Sequence, residues 1–190
     1  MGARVEVIGV GYEGATIEEF CTRLQTLDVT SVADVRLNAL SRKRGFSKNG
    51  LRSALAESGI TYLHLPDLGN PRENRDGFAI PGSPAGNAAR KIYLERLETD
   101  KAQSALRRIT DLAEDGVVAV MCFERDEHEC HREIVLETLG RVVALTLLSV
   151  TSYLTREIAK RSFIATDEDG HPIASTAAGP GKRSHPPDTG

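Results

Sequence analysis

The chain has 190 residues, 40% of them hydrophobic and 27% charged, with a net charge of -3. That length suits one domain with its own core and little more. The weak negative charge excludes nucleic-acid binding by overall charge and leaves only a local basic patch for such a role.

The three cysteines, Cys21, Cys122 and Cys130, are too few and odd in number for a disulfide framework. The first residues lack the apolar core of a signal peptide. The apolar run Val142 to Val150 is too short to cross a bilayer. The expectation is a cytoplasmic protein with no membrane partner. The oligomeric state stays open.

Val5 to Val10 predicts a first strand, closed by Gly9, Gly11 and Gly14. Thr16 is a candidate N-cap, with Glu18 and Glu19 in the first helical turn. Phe20, Leu24 and Leu27 follow at helical spacing. Ser31 to Val35 predicts strand two. Ser47 is a candidate N-cap for a helix carrying Leu51 and Leu55, and Ile60 to Leu65 predicts strand three.

Asp67 to about Ala88 reads as a long irregular segment, and Ile92 to Ala113 as one or two helices. Val117 to Phe123 predicts strand four. Arg132 to Leu139 falls on the next helix, and Val142 to Leu148 is a candidate fifth strand. Strands alternating with helices give the expected fold class: α/β, one domain over residues 1–165. Its sheet is mainly parallel, with about five strands flanked by helices. Residues 166–190 are rich in Gly, Pro, Ser, Thr and Ala, which predicts a disordered tail.

Ligands of open α/β sheets bind outside the carboxyl ends of the strands. Polar residues gather at those ends here: Gly11, Tyr12 and Glu13 after strand one, Asp34 and Arg36 after strand two, His64 after strand three. Strand four runs into Cys122-Phe-Glu124-Arg125, an acidic loop, and Cys130-His131-Arg132. Alternation puts Cys122 and Glu124 on one face. Cys130 at a helix start, beside His131 and Arg132, has the setting of a lowered-pKa thiolate or an anion site. The plain alternative is that Cys122 is a small buried hydrophobe and Cys130 a helix-start residue.

Cys122, Cys130 and His131 also make a possible zinc set, completed by Asp34, Glu124 or His64, although the spacing matches no common zinc module. Gly9 to Gly14 has the G-x-G-x-x-G form with Asp34 at a suitable distance, but Glu18 and Glu19 would repel a pyrophosphate. Residues 36–52 hold Arg36, Arg42, Lys43, Arg44, Lys48 and Arg52 with no acid, and Phe46 among them is a candidate base-stacking ring. Asn70, Arg72, Asn74 and Arg75 follow in a polar loop suited to act as a lid or binding loop.

These motifs together resemble the domain of unknown function 488 family. The matching pieces are Ile8 to Gly14, Asp34 to Lys48, Tyr62 to Arg75, Tyr93 to Leu97 and Cys122 to Arg132. The resemblance implies a compact, cytoplasmic α/β domain and names no reaction and no cofactor. A rhodanese or cysteine phosphatase also sets a Cys after a strand. The phosphatase loop needs Arg six positions after its Cys, and here that position is His128.

Three functional readings follow. The first is an enzyme acting on a phosphate-bearing substrate, a nucleotide or nucleic acid. Asp34, Glu124, Cys130 and His131 would be catalytic. Gly11, Tyr12, Glu13, Arg36, Arg42, Lys43, Arg44, His64, Asn70, Arg72 and Arg132 would bind substrate. The second is a non-catalytic nucleic-acid-binding module with a structural Cys-His-Arg cluster. The third is a structural zinc domain.

Overall fold

The strands are β1 (Val7–Gly11), β2 (Val29–Asp34), β3 (Thr61–His64) and β4 (Val117–Cys122) in the computed structural model, which describes residues 6–141. All pair in parallel, in the order β1-β4-β2-β3. The helices are α1 (Ile17–Thr26), α2 (Lys48–Glu57), α3 (Arg72–Arg75), α4 (Pro84–Leu97), α5 (Asp100–Ala113) and α6, helical over 132–141. The α/β class and the parallel sheet are as the sequence predicts, with four strands among the described residues. The fifth strand expected at Val142 to Leu148, the boundary at residue 165 and the tail from Thr166 lie outside them.

β4 shows why its sequence is an unbroken apolar run. Val118, Val120 and Cys122 face one core, and Ala119 and Met121 face the other. A strand covered on both sides has no polar face to alternate with. Phe20 and Leu24 of α1 and Leu51 and Leu55 of α2 fill one side. Tyr93 and Leu97 of α4, Leu106 and Ile109 of α5 and Val135 of α6 fill the other. Each such fully buried side chain stabilises the fold by roughly 1.5–3 kcal/mol.

α1 begins as read. Thr16 accepts the Glu19 N–H and Glu19 accepts the Thr16 N–H, closing a capping box. Ser47 occupies the N-cap position of α2 but makes no cap bond. Its hydroxyl accepts the Ser41 N–H at 3.1 Å and donates to the Ser41 carbonyl at 3.0 Å, which pins the loop instead. The segment after β3 is not irregular throughout. Short 3-10 turns at Pro66–Leu68 and Asp76–Ala79 bracket α3. α4 then starts at Pro84, where Ser83 caps the Gly86 N–H at 2.9 Å.

The connections set the site. The chain leaves β1 and β2 towards the α1–α2 face, while β4 leads into α6 on the opposite face. β4 lies between β1 and β2, so the connections leaving neighbouring strands part to opposite faces at the carboxyl ends and open a crevice. No helix among the described residues is long and apolar enough to cross a membrane.

Candidate functional site

The crevice is a cavity of about 460 Å³. Tyr12 follows β1, Arg36 follows β2, and Cys122, Phe123 and Glu124 close β4; all line it. His131 contributes from the turn before α6. Asn38, Ser41, Arg42 and Lys43 form one wall, and Asn70, Arg75 and Phe78 another. Leu40 and Phe123 also line it and are exposed, at 80% and 45%.

One side of the site is a buried ion pair. The Asp34 carboxylate, with no solvent exposure, accepts Arg36 Nε–H at 2.8 Å, Arg36 Nη2–H at 2.6 Å, the Arg36 backbone N–H at 3.1 Å and the Tyr62 hydroxyl at 2.7 Å. Arg36 Nη1 donates to Tyr12 Oη and to the Phe46 carbonyl, each at 2.9 Å. Four of the five guanidinium donors are thereby used within the protein. Burial pushes the Tyr62 hydroxyl up, and the Asp34 carboxylate adds to that push. Phe46 is fully buried and stacks on Tyr12 at 4.3 Å between centroids. The ring that a basic loop offered for a nucleobase is therefore core packing.

The glycines of the G-x-G-x-x-G segment have a different reason to be glycine than a pyrophosphate. A Cβ on Gly11 would land on the Glu124 carbonyl, and one on Gly9 would meet the Glu127 carboxylate. The loop after β4 packs directly on this turn. Glu13 accepts the Arg125 N–H at 3.0 Å, and its own N–H donates to the Phe123 carbonyl at 2.9 Å. Arg132, 2% exposed, donates to the Glu124 and Arg125 carbonyls at 2.6 and 3.1 Å. Arg132 thus holds the loop and does not line the cavity.

The cavity floor is a sulfur and nitrogen cluster. Cys122, Cys130 and His131 are all buried, and their donor atoms lie within 4.8 Å of one another. Both sulfurs stand 3.9 Å from His131 Nδ1. The Val35 carbonyl lies 3.1 Å from Nε2, and a carbonyl only accepts, so Nε2 carries the proton and Nδ1 faces the sulfurs. The Tyr93 ring packs edge-on against the imidazole at 5.2 Å.

The neighbouring Cys130 thiol and burial push the Cys122 thiol well up. Burial opposes a charge on His131, but the Cys122 sulfur, the Val35 carbonyl and Glu124 outweigh it and push His131 up. Burial likewise acts to raise Glu124. The adjoining Cys130 and Cys122 thiols, with a backbone bond, more than offset it and hold the carboxyl down. Glu124 Oε2 is nonetheless buried with no partner in hydrogen-bonding geometry.

The structure brings together Tyr12, Arg36, Arg42, Lys43, Asn70, Glu124 and His131, with Cys122 beside them. It leaves others off the cavity. Asp34 sits behind Arg36, and Cys130 contacts the cluster from below. Cys130 precedes α6 rather than opening it, and Cys122 is the sulfur that lines the cavity. Arg44 lines a separate groove beside α1 and α2, and His64 lines one beside α5. His64 Nε2 is occupied by the Arg36 carbonyl at 2.9 Å. Gly11, Glu13 and Arg72 also do not line the cavity.

Asn38, Leu40, Ser41, Phe78, Phe123 and Glu129 also line it, and the sequence gives none of them a role. Position after a strand end was the one available signal for Asn38 and Phe123. Arg75, the last residue of α3, lines the cavity and donates Nε–H to the Asn70 carbonyl at 3.0 Å.

A parallel α/β protein with a basic cleft over a buried cysteine–histidine floor is the class that fold and site define. Residues 16–139 match the family described as domain of unknown function DUF488, and the chain belongs to that family. The matched span runs from α1 into α6 and omits β1 and its glycine turn. No curated protein and no solved structure matches the chain.

Proposed function

We propose that this protein is an enzyme acting on a phosphate-bearing small molecule of nucleotide type, bound in the cleft at the carboxyl ends of β1, β2 and β4. The observation that carries this reading is the lining. Arg42, Lys43 and Arg75 supply positive charge at the wall and mouth, above a floor holding Glu124 and His131. Cationic side chains in a concave, partly desolvated site favour phosphate, and a nearby carboxylate suits proton transfer. Phe123 offers an exposed ring for a flat base.

The roles divide accordingly. Arg42, Lys43 and Arg75 bind the anion, with the last free donor of Arg36 beneath them. Glu124 does the proton chemistry, and His131, held by the Val35 carbonyl, shapes the floor beside it. Asp34 keeps Arg36 in place. The non-catalytic nucleic-acid-binding reading has less support, because Phe46 is buried and Arg44 faces another groove.

Thermal unfolding of the full chain against a panel of nucleoside mono-, di- and triphosphates tests the proposal. A ligand at 100 times its Kd stabilises by about 2.7 kcal/mol. At least one member should raise Tm in the wild type and fail to do so in Arg42→Ala/Lys43→Ala. If no phosphate compound shifts Tm, or the double variant responds as the wild type does, the proposal is wrong.

A further inference from the structure

We infer that Cys122 Sγ, Cys130 Sγ and His131 Nδ1 bind a zinc-type ion whose fourth coordination position opens into the cavity. The spacing is the first support. The three donor atoms fall within 4.8 Å of one another, with 3.9 Å from each sulfur to Nδ1. Tetrahedral zinc, bonded at about 2.3 Å to sulfur and about 2.0–2.1 Å to nitrogen, holds its ligands roughly 3.6–3.8 Å apart. A small side-chain closure seats the ion.

The outer contacts are the second support. A ligating histidine commonly donates its other ring N–H to a carbonyl or carboxylate, which fixes the tautomer and the ring. His131 does this with the Val35 carbonyl, so its free lone pair is turned to the two sulfurs. Cys122 ends the central strand β4, and the Cys130 N–H is held by the Glu127 carbonyl at 3.0 Å. All three ligands therefore come from fixed backbone. Adjacent Cys130 and His131 reach one point because they lie in the turn before α6, not on a helix face.

The third support is the orphan oxygen. Glu124 Oε2 is buried without a partner, beside a cluster in which Nδ1 has only weak sulfur contacts at 3.9 Å. Thiols are weak donors, so two of them packed on a neutral ring satisfy neither group well. An ion satisfies both together: Nδ1 becomes a ligand, and a water on the open position hydrogen-bonds Glu124. Cys122 and His131 line the cavity while Cys130 does not, which puts the open position on the cavity side. Two thiolates and an imidazole select zinc or another thiophilic ion over magnesium or calcium. Binding releases both thiol protons to solvent.

This site shares the cavity with the proposed substrate but does not depend on its identity. The test uses the full chain, purified without a metal-binding tag and stripped with chelator. Refilling with zinc should give one ion per chain. Cobalt in its place should give the intense visible spectrum of four-coordinate thiolate ligation, and azide should alter that spectrum by taking the open position.

Cys130→Ser and His131→Ala should each weaken binding by more than about 100-fold, beyond the roughly 10–100-fold typical of an outer-shell change. Arg42→Ala/Lys43→Ala should keep the ion. Loss of anion binding with the ion retained would therefore sink the substrate reading alone. Folded wild-type chain that takes up no cobalt would overturn the ion site even if the cysteine variants fail to fold. An azide-insensitive cobalt spectrum would overturn the open position.

Discussion

Asp34 and Arg36 illustrate how a residue pair at a strand end divides between chemistry and support. The carboxylate accepts four hydrogen bonds, three of them from Arg36. Nothing is left for a substrate proton. The guanidinium is tied to Tyr12 and the Phe46 carbonyl as well, so the pair fastens β2 to the basic loop. Removing one partner of such a pair strands a buried charge. Asp34→Ala should cost about 3–5 kcal/mol in urea unfolding. Tyr62→Phe, which deletes one neutral donor and leaves Asp34 bound to Arg36, should cost about 1 kcal/mol. An Asp34→Ala protein within about 0.5 kcal/mol of wild type, the range of an ordinary surface change, would show that the pair is no brace. The sequence placed both residues at the strand end but could not reveal this division, because Tyr62 and Phe46 reach the pair only through tertiary packing.

The loop from Phe123 to Cys130 depends on an element it does not touch in sequence. It rests on the glycine turn of β1, and Gly11 allows the contact: a Cβ there would coincide with the Glu124 carbonyl. Backbone, unlike a long side chain, cannot swing aside. Gly11→Ala should therefore displace the loop and lower stability by more than the roughly 1–3 kcal/mol of ordinary overpacking. Hydrogen exchange should report the loss of protection in 123–131 first. Unchanged exchange there would mean that the loop does not bear on β1.

Element boundaries were legible where composition was simple. The capping box at Thr16 and the apolar run of β4 follow from local pattern. α4 was missed over its first two turns because Gly86 and Asn87 interrupt an alanine-rich stretch, and tight packing explains the glycine. A Cβ on Gly86 would strike the Ile80 carbonyl. Ser83-Pro84 was the available start signal, a cap followed by proline at the first helical position.

Across the whole molecule, the strand order decides which motifs meet, and no local pattern encodes it. β4 entering between β1 and β2 brings Cys122 beside Tyr12 and Arg36 and leaves His64 at the sheet's outer strand. The same arrangement concentrates Arg42, Lys43 and Arg75 at one cleft in a chain of net charge -3. A field so local suits a small anion that fits the cleft, whereas a polyanion would need basic contacts beyond it. The two cases separate by salt. A nucleic-acid surface that neutralises several single-strand phosphates loses affinity steeply, with a slope of log K against log salt of about -0.7 per phosphate. The cleft should give a slope no steeper than roughly -2 for a nucleotide that fits it, because even a nucleoside triphosphate brings only about three phosphates at about -0.7 each. An oligonucleotide should bind no more tightly than the mononucleotide, and with no steeper slope. Fluorescence anisotropy with both probes from low to high salt makes the comparison. A slope for the oligonucleotide several times that of the mononucleotide would transfer the basic residues from a substrate pocket to a nucleic-acid surface.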